Sequence, residues 1–337
     1  IAGGRIDVWA EPQMKRYILG LVVMFIVAFT PIWFWRSMSG FAYGVSMLLL
    51  LAVEFFGAVG MGAQRWIDLG FIRIQPSELM KVTLVMALAS YYDMLDDKKI
   101  SRPLWVLIPV ALIAAPTVLV LMQPNLGTSI MLLVVGAAVM FAAGVSLWYF
   151  GGVLALGGAA VAAVFLTRGT AWQLLHNYQH TRIDTFLNPS ADPLGAGYNI
   201  IQAKIALGSG GWAGKGFMQG TQSRLNFLPE KHTDFIFTTL GEEFGFVGAI
   251  SLLALYTLVL VMLIWAAVQN KDRFSQLLIV GVAMNFFLYI AVNLSMVMGM
   301  APVVGVPLPL LSYGGSATLV ILLAFGLVQS AIVHRPR

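Results

Sequence analysis

The 337 residues include no cysteine, which excludes disulfides and any thiolate-based metal or redox centre. Charge is nearly as scarce: Lys, Arg, Asp and Glu together make up 10% of the chain, against about 25% in a typical soluble domain. So few charges cannot cover a water-soluble globule, and a disordered chain needs more of them. No repeat with a period of about 20–50 residues is visible, so a solenoid or fibrous array is excluded as well. Apolar surface is what the chain has in abundance. Hydrophobic residues account for 59% of it, and the mean hydropathy is +0.85. These values describe an integral membrane protein. Lipid offers the backbone no hydrogen bonds, so uncharged runs of about 20 residues cross it as helices. The expected fold is an all-α polytopic bundle, a single transmembrane domain over residues 1–337. A net charge of +5 suits anionic head groups or an anionic substrate and leaves no footprint for nucleic acid.

Uncharged runs and their punctuation predict nine spans, near 17–35, 41–61, 77–92, 104–122, 126–144, 147–166, 237–267, 275–298 and 314–333. Tight turns at Gln123-Pro124-Asn125 and Gly144-Val145-Ser146 make the helices on either side antiparallel neighbours. Between 167 and 236 lies one loop of about 70 residues, far beyond the usual 4–6. It carries Trp172, Tyr178, Phe186, Tyr198, Trp212, Phe217 and Phe227, so it can bury surface and is no plain linker. Within it, Tyr198 to Leu207 reads as a short amphipathic helix with Ile201 and Ile205 on one face. Short-loop lysines and arginines lean to one side: Arg36, Lys98, Lys99, Arg102, Lys271, Arg273, Arg335 and Arg337 against Arg5, Lys15, Arg16, Arg65 and Arg73. That lean puts the C-terminus in the cytoplasm and the long loop outside.

The densest polar constellation is LPEKHTDFIF (228–237), followed by GEEFG (241–245). Its four ionisable residues, Glu230, Lys231, His232 and Asp234, come just before a span and must face water, a partner or a cavity. One reading is an interfacial cap, with Thr233 or Asp234 capping the next helix. The other is a carboxylate, Asp234, held ionised at a helix N-terminus and placed to accept a proton. A second constellation runs through Gln64, Arg65, Trp66 and Asp68 to Gln75-Pro76-Ser77-Glu78 and Lys81. Pro76 with Ser77 and Glu78 marks a helix start. Glu78 and Lys81, three apart, share a helix face. They form either a structural ion pair or a polar cavity that offers a cation to a phosphate. The runs QPNLGT (123–128) and GVPLPLLSYGGS (305–316) are turns, or broken backbone lining a cavity. Glu54 reads as a mid-span acid, either a proton relay or, by preference, a hydrogen-bonded packing residue. Other signals fail: the glycines of 208–213 follow no buried strand, Gly214-Lys215-Gly216 lacks P-loop spacing, and His176, His180 and His232 have no metal-ligand spacing.

These stretches, together with QRWIDLGFIRIQPSELMK, QPNLGTS and DPLGAGYNIIQAKIALGSGG, resemble the SEDS family (shape, elongation, division and sporulation) in content and order over essentially the whole chain. GTQSRLNFLPEKHTDFIF and PVVGVPLPLLSYGGSA resemble the elongation members more than the division members. Members of the family have ten spans, and the motif alignment leaves this chain without the first. The resemblance implies a peptidoglycan glycosyltransferase that polymerises lipid II at the outer face of the cytoplasmic membrane. It also implies work alongside a class B penicillin-binding protein, the transpeptidase, and other elongation-complex membrane proteins. The family's essential aspartate falls on Asp234, its QPSE…K pair on Glu78 and Lys81, and its QRW arginine on Arg65. Asn125 stands where many members have Asp. A diphosphate leaving group calls for cations, and Arg65, Lys81, Lys204, Lys215, Arg224 and Lys231 are the candidates. The sequence points to no particular cofactor, and a divalent cation, Mg or Mn, would suit a diphosphate. A lipid II flippase and a non-catalytic scaffold for the transpeptidase are the alternatives.

Overall fold

The computed structural model describes residues 6–60, 63–68, 70, 73–170, 173, 184, 188, 197–225, 227–228 and 232–335. Helices α1 (Ile6–Phe29) and α2 (Ile32–Phe56) lead into three short strands, β1 (Ala58–Gly60), β2 (Ala63–Asp68) and β3 (Arg73–Ile74). The membrane bundle continues with α3 (Pro76–Asp93), α4 (Pro103–Met122), α5 (Leu126–Ala142) and α6 (Leu147–Leu166). Two shorter helices, α7 (Tyr198–Ser209) and α8 (Thr221–Arg224), precede α9 (Ile236–Gln269), α10 (Arg273–Val297) and α11 (Ser316–Val333). Among the described residues, α1, α2, α4, α6, α9, α10 and α11 are long and apolar enough to cross a membrane. The chain is a multi-pass helical membrane protein. Its strands are an addition to the all-α expectation: an antiparallel β1-β2-β3 arrangement at one end of the bundle, with Ile67 opposite Ile74.

At the centre stands α3, packed by α2, α5 and α10. It reads as weakly apolar because it carries Glu78 and Lys81, yet both are buried. Close approach is bought by small residues: a Cβ at Gly281 of α10 would lie 2.4 Å from Val85 of α3. The largest core cluster runs through Leu84, Val85 and Leu88 to Val135, Val139, Phe274 and Leu278.

Several boundaries differ from those read in the sequence. The first helix breaks at Thr30-Pro31. Pro31 has no N–H to continue α1, and Arg36, which reads as a loop residue, lies inside α2. Arg36 is tolerated there because it pairs with Asp93 and Asp272. The same shift moves Glu54 from mid-span to the exposed last turn of α2, where a packing role has no basis. In α7 the buried face is Ile200, Ala203 and Ala206, and Ile205 is exposed. The small alanines let α7 lie against α9. Most of the 167–236 loop before Gly197 lies outside the described residues.

Candidate active site

Helix α9 begins without the expected side-chain cap: Phe235 occupies the capping position and makes no such bond. Residues 232–235 form a turn whose backbone is held from outside instead. The Tyr313 N–H donates to the His232 carbonyl at 2.8 Å. Ser312 Oγ donates to the Thr233 carbonyl at 2.6 Å. Asn293 Nδ2 donates to the Asp234 carbonyl at 2.8 Å and to the Val306 carbonyl at 2.7 Å. Three successive carbonyls are thus each taken by a group from α10 or from the irregular chain after it.

That irregular chain, 299–315, is the broken backbone that GVPLPLLSYGGS suggested. Gly305 has φ +68°, and a Cβ built there would sit 3.4 Å from Asp234 Oδ2. Tyr256 OH fixes the Pro309 carbonyl at 2.6 Å, and Tyr17 OH donates to the Leu310 carbonyl. Trp9 of α1 stacks on His232 at 4.0 Å and meets Tyr313 edge-on at 4.7 Å. The Arg16 guanidinium lies over the Tyr313 ring at 4.6 Å. Its Nη1 is buried and has no hydrogen-bond partner among the described residues. The half-buried Asp234 carboxylate therefore shares one end of the bundle with aromatic rings, an arginine and glycine-lined backbone.

The cations named from the sequence separate into groups. Lys81 is fully buried, bonded to Glu78 Oε1 at 2.8 Å and to Tyr289 OH, with its ammonium 4.0 Å from the Tyr289 ring. Tyr289 OH donates in turn to the other Glu78 oxygen. Here the structure takes the ion-pair reading of this constellation and adds a tyrosine. Arg65 donates to the Gln123 carbonyl at 3.0 Å and to the Pro124 carbonyl, bracing the α4–α5 turn. Partial burial pushes its guanidinium below the usual value. In that turn Asn125 caps α5, accepting from Thr128 N at 3.4 Å. Lys215 is bonded to Glu242 at 2.7 Å and to Thr221 at 2.8 Å. Lys204 and Arg224 are exposed, and Lys231 lies outside the described residues. Among the described residues, no group of three or more His, Asp or Glu side chains is arranged to hold a metal.

The FtsW/RodA/SpoVE cell cycle protein family matches residues 4–336. The chain belongs to this family. The peptidoglycan glycosyltransferase MrdB of Escherichia coli K12 is 44% identical over 328 residues, 96% of this chain and 86% of its own length. A chain of a solved peptidoglycan synthase complex, in which polymerization and crosslinking are coordinated, matches with a TM-score of 0.80 at 32% identity, over 96% of this chain and 88% of its own. The crystal structure of the Thermus thermophilus rod shape determining protein RodA matches with a TM-score of 0.71 at 27% identity, over 99% of this chain and 91% of its own.

Three residues at this end were not singled out in the sequence: Arg16, Tyr289 and Asn293. Arg16 reads there only as a charge flanking a span. Tyr289 and Asn293 do have a signal. With Asn285 they are polar positions four apart on α10, one polar face on an otherwise apolar span.

Proposed function

We propose that this chain is a peptidoglycan glycosyltransferase of the elongation type, which polymerises lipid II with undecaprenyl diphosphate as leaving group. The observation that carries the reading is the clamp on residues 232–234, which fixes one carboxylate against the glycine-lined backbone at Gly305. Asp234 accepts the proton of the acceptor sugar's 4-hydroxyl. The freed oxygen attacks the donor's anomeric carbon, and the bond to the diphosphate oxygen breaks with its electron pair leaving on the diphosphate. A single positioned base suffices for this inverting displacement. The departing charge is met by Arg16, Lys204 and Arg224, whose side chains, among the described residues, are not committed to acidic partners as Lys81 and Lys215 are. A divalent cation in solution can assist them, as the diphosphate itself binds such ions. Lys81 and Glu78 then serve the site as its buried frame.

The Asp234 end faces outward in this reading, because Arg36, Arg273 and Arg335 gather at the opposite end. A class B penicillin-binding protein is the proposed partner, crosslinking the strands as they form.

Polymerisation of labelled lipid II by the full chain with its transpeptidase partner tests the proposal. Glycan ladders are expected from the wild type, and Asp234→Asn should lower the rate by about 10²–10⁴-fold. Full activity in that variant would remove Asp234 as the base. No ladder from well-folded, partner-bound wild type would turn attention to transport or scaffolding.

A further inference from the structure

Asn293 supplies one bond of the clamp on residues 232–234, and its position is unusual. It lies four residues beyond Tyr289 on α10, and none of its surface is exposed. Both protons of one amide are spent on two carbonyls from different parts of the chain, Asp234 at 2.8 Å and Val306 at 2.7 Å. Val306 directly follows Gly305, the residue that faces Asp234 Oδ2. One side chain therefore sets the spacing between the candidate base and the backbone opposite it. Its own Oδ1 is buried with no partner among the described residues. An amide with an idle acceptor is a poor choice for filling space alone; what it supplies is its pair of donors, which an apolar side chain of similar shape would withhold from both carbonyls.

We propose that Asn293 is a positioning residue for the reaction: through the Asp234 and Val306 carbonyls it holds the Asp234 carboxylate at its working distance from the Gly305 backbone. It rests on Asp234 being the base and adds a second residue to that site. Tyr289, one turn away, bonds α10 to Glu78 and Lys81 of α3, so the helix that carries the amide is anchored to the centre of the bundle.

The test compares Asn293→Ala, Asn293→Leu, Asp234→Asn and the double variant Asn293→Leu/Asp234→Asn, each as full chain with its transpeptidase partner. Polymerisation of lipid II is measured for kcat and KM, and thermal stability is measured beside it. Asn293→Leu keeps the branched heavy-atom skeleton but leaves the Asp234 and Val306 carbonyls without their donor, so it should melt somewhat below the wild type, and kcat is compared on folded, partner-bound protein. Its kcat should fall about 10–100-fold with KM changed less than about threefold, the cost of misplacing a reacting group by a fraction of an ångström to an ångström. If Asn293 acts through Asp234, the double variant should be no slower than Asp234→Asn alone. Wild-type kcat in Asn293→Leu beside an inactive Asp234→Asn overturns the positioning role and leaves the base in place. A multiplicative loss in the double variant overturns it too. Full activity in Asp234→Asn would remove the base reading itself, and the two failures are thereby told apart.

Discussion

Lys81, Glu78 and Tyr289 close a ring of bonds in the middle of the bundle, from α3 across to α10. An ammonium with no water and no partner is among the most expensive groups a fold can hold, and each member of the ring is what makes the others tolerable. Lys81→Met alone is therefore expected to destabilise by about 3–5 kcal/mol, because it leaves Glu78 buried without its cation. The double variant Glu78→Leu/Lys81→Met should recover much of that loss. Thermal melting of the purified protein checks the order; a double variant less stable than the single one would mean that the ring does more than neutralise charge. Half of this ring is readable in the sequence, since residues three apart share a helix face whatever the fold. The other half is not, because Tyr289 stands 208 positions from Lys81 and only tertiary packing brings them together. Asp234 was legible for a different reason: an acid in a dense ionisable stretch before a span needs an explanation. How its backbone is held was hidden, because the polar face of α10 and the run around Ser312 and Tyr313 do not say in the sequence which carbonyls they meet.

Helix α9 shows what an element gains from being interrupted. At Gly245 the backbone turns to φ +65°, ψ −161°, and the helical ladder breaks. Four of the groups at the break find partners in the segment after α7. Lys215 N donates to the Glu242 carbonyl at 3.0 Å and Gly216 N to the Glu243 carbonyl at 3.0 Å, while Phe246 N donates to Gly211 at 2.9 Å and Val247 N to Trp212 at 3.2 Å. A break inside a membrane helix is tolerable only when its backbone groups are met in this way. Beside it the Glu242 carboxylate, fully buried, accepts from Lys215, Thr221 Oγ1 and Gln222 N. Gly214 sits at φ +80°, and a Cβ there would fall 2.2 Å from the Glu243 oxygen. Gly214→Ala is thus both strained and sterically blocked. It should destabilise the protein by about 2–3 kcal/mol and expose the 211–216 segment to limited proteolysis, which is the measurement that checks it. Glycines were visible in this stretch of the sequence, but their use was not. GSGGWAGKG reads only as a failed dinucleotide or phosphate motif, whereas its glycines let one backbone lie against another.

Across the whole molecule the two ends do different work. At the end opposite Asp234, Arg36 draws together the ends of α3 and α10 through Asp93 at 3.3 Å and through Asp272. Asp272 also caps α10, accepting from Ser275 N at 2.9 Å. Burial alone pushes the Asp272 carboxyl up, but the bonds from Ser275 and Arg36 outweigh it and hold the group below its ordinary value. A carboxylate so depressed contributes its stability in full above about pH 4 and loses it as pH falls through the folded value. Melting temperature should therefore drop on acidification below about pH 4, and Asp272→Asn should flatten that part of the curve. An unchanged slope in the variant would assign the acid sensitivity to other groups. Hydropathy located most of the long helices, since lipid enforces length and composition. It misplaced the first boundary because a paired arginine inside a helix looks the same as a loop arginine until its partners are known.

One further consequence concerns α6. Among the described residues its side-chain ties gather in the first turn, Tyr149 OH on the Ser101 carbonyl at 3.0 Å and Phe150 against Phe141. No residue of the helix is buried, and a Cβ at Gly151, Gly152, Gly157 or Gly158 would meet nothing within 4 Å. Its transmembrane placement is accordingly a partition equilibrium more than a folded contact, decided when the nascent segment is handed to the lipid. Loss of its bilayer on solubilisation removes the main force that keeps it upright, while the rest of the bundle retains its core.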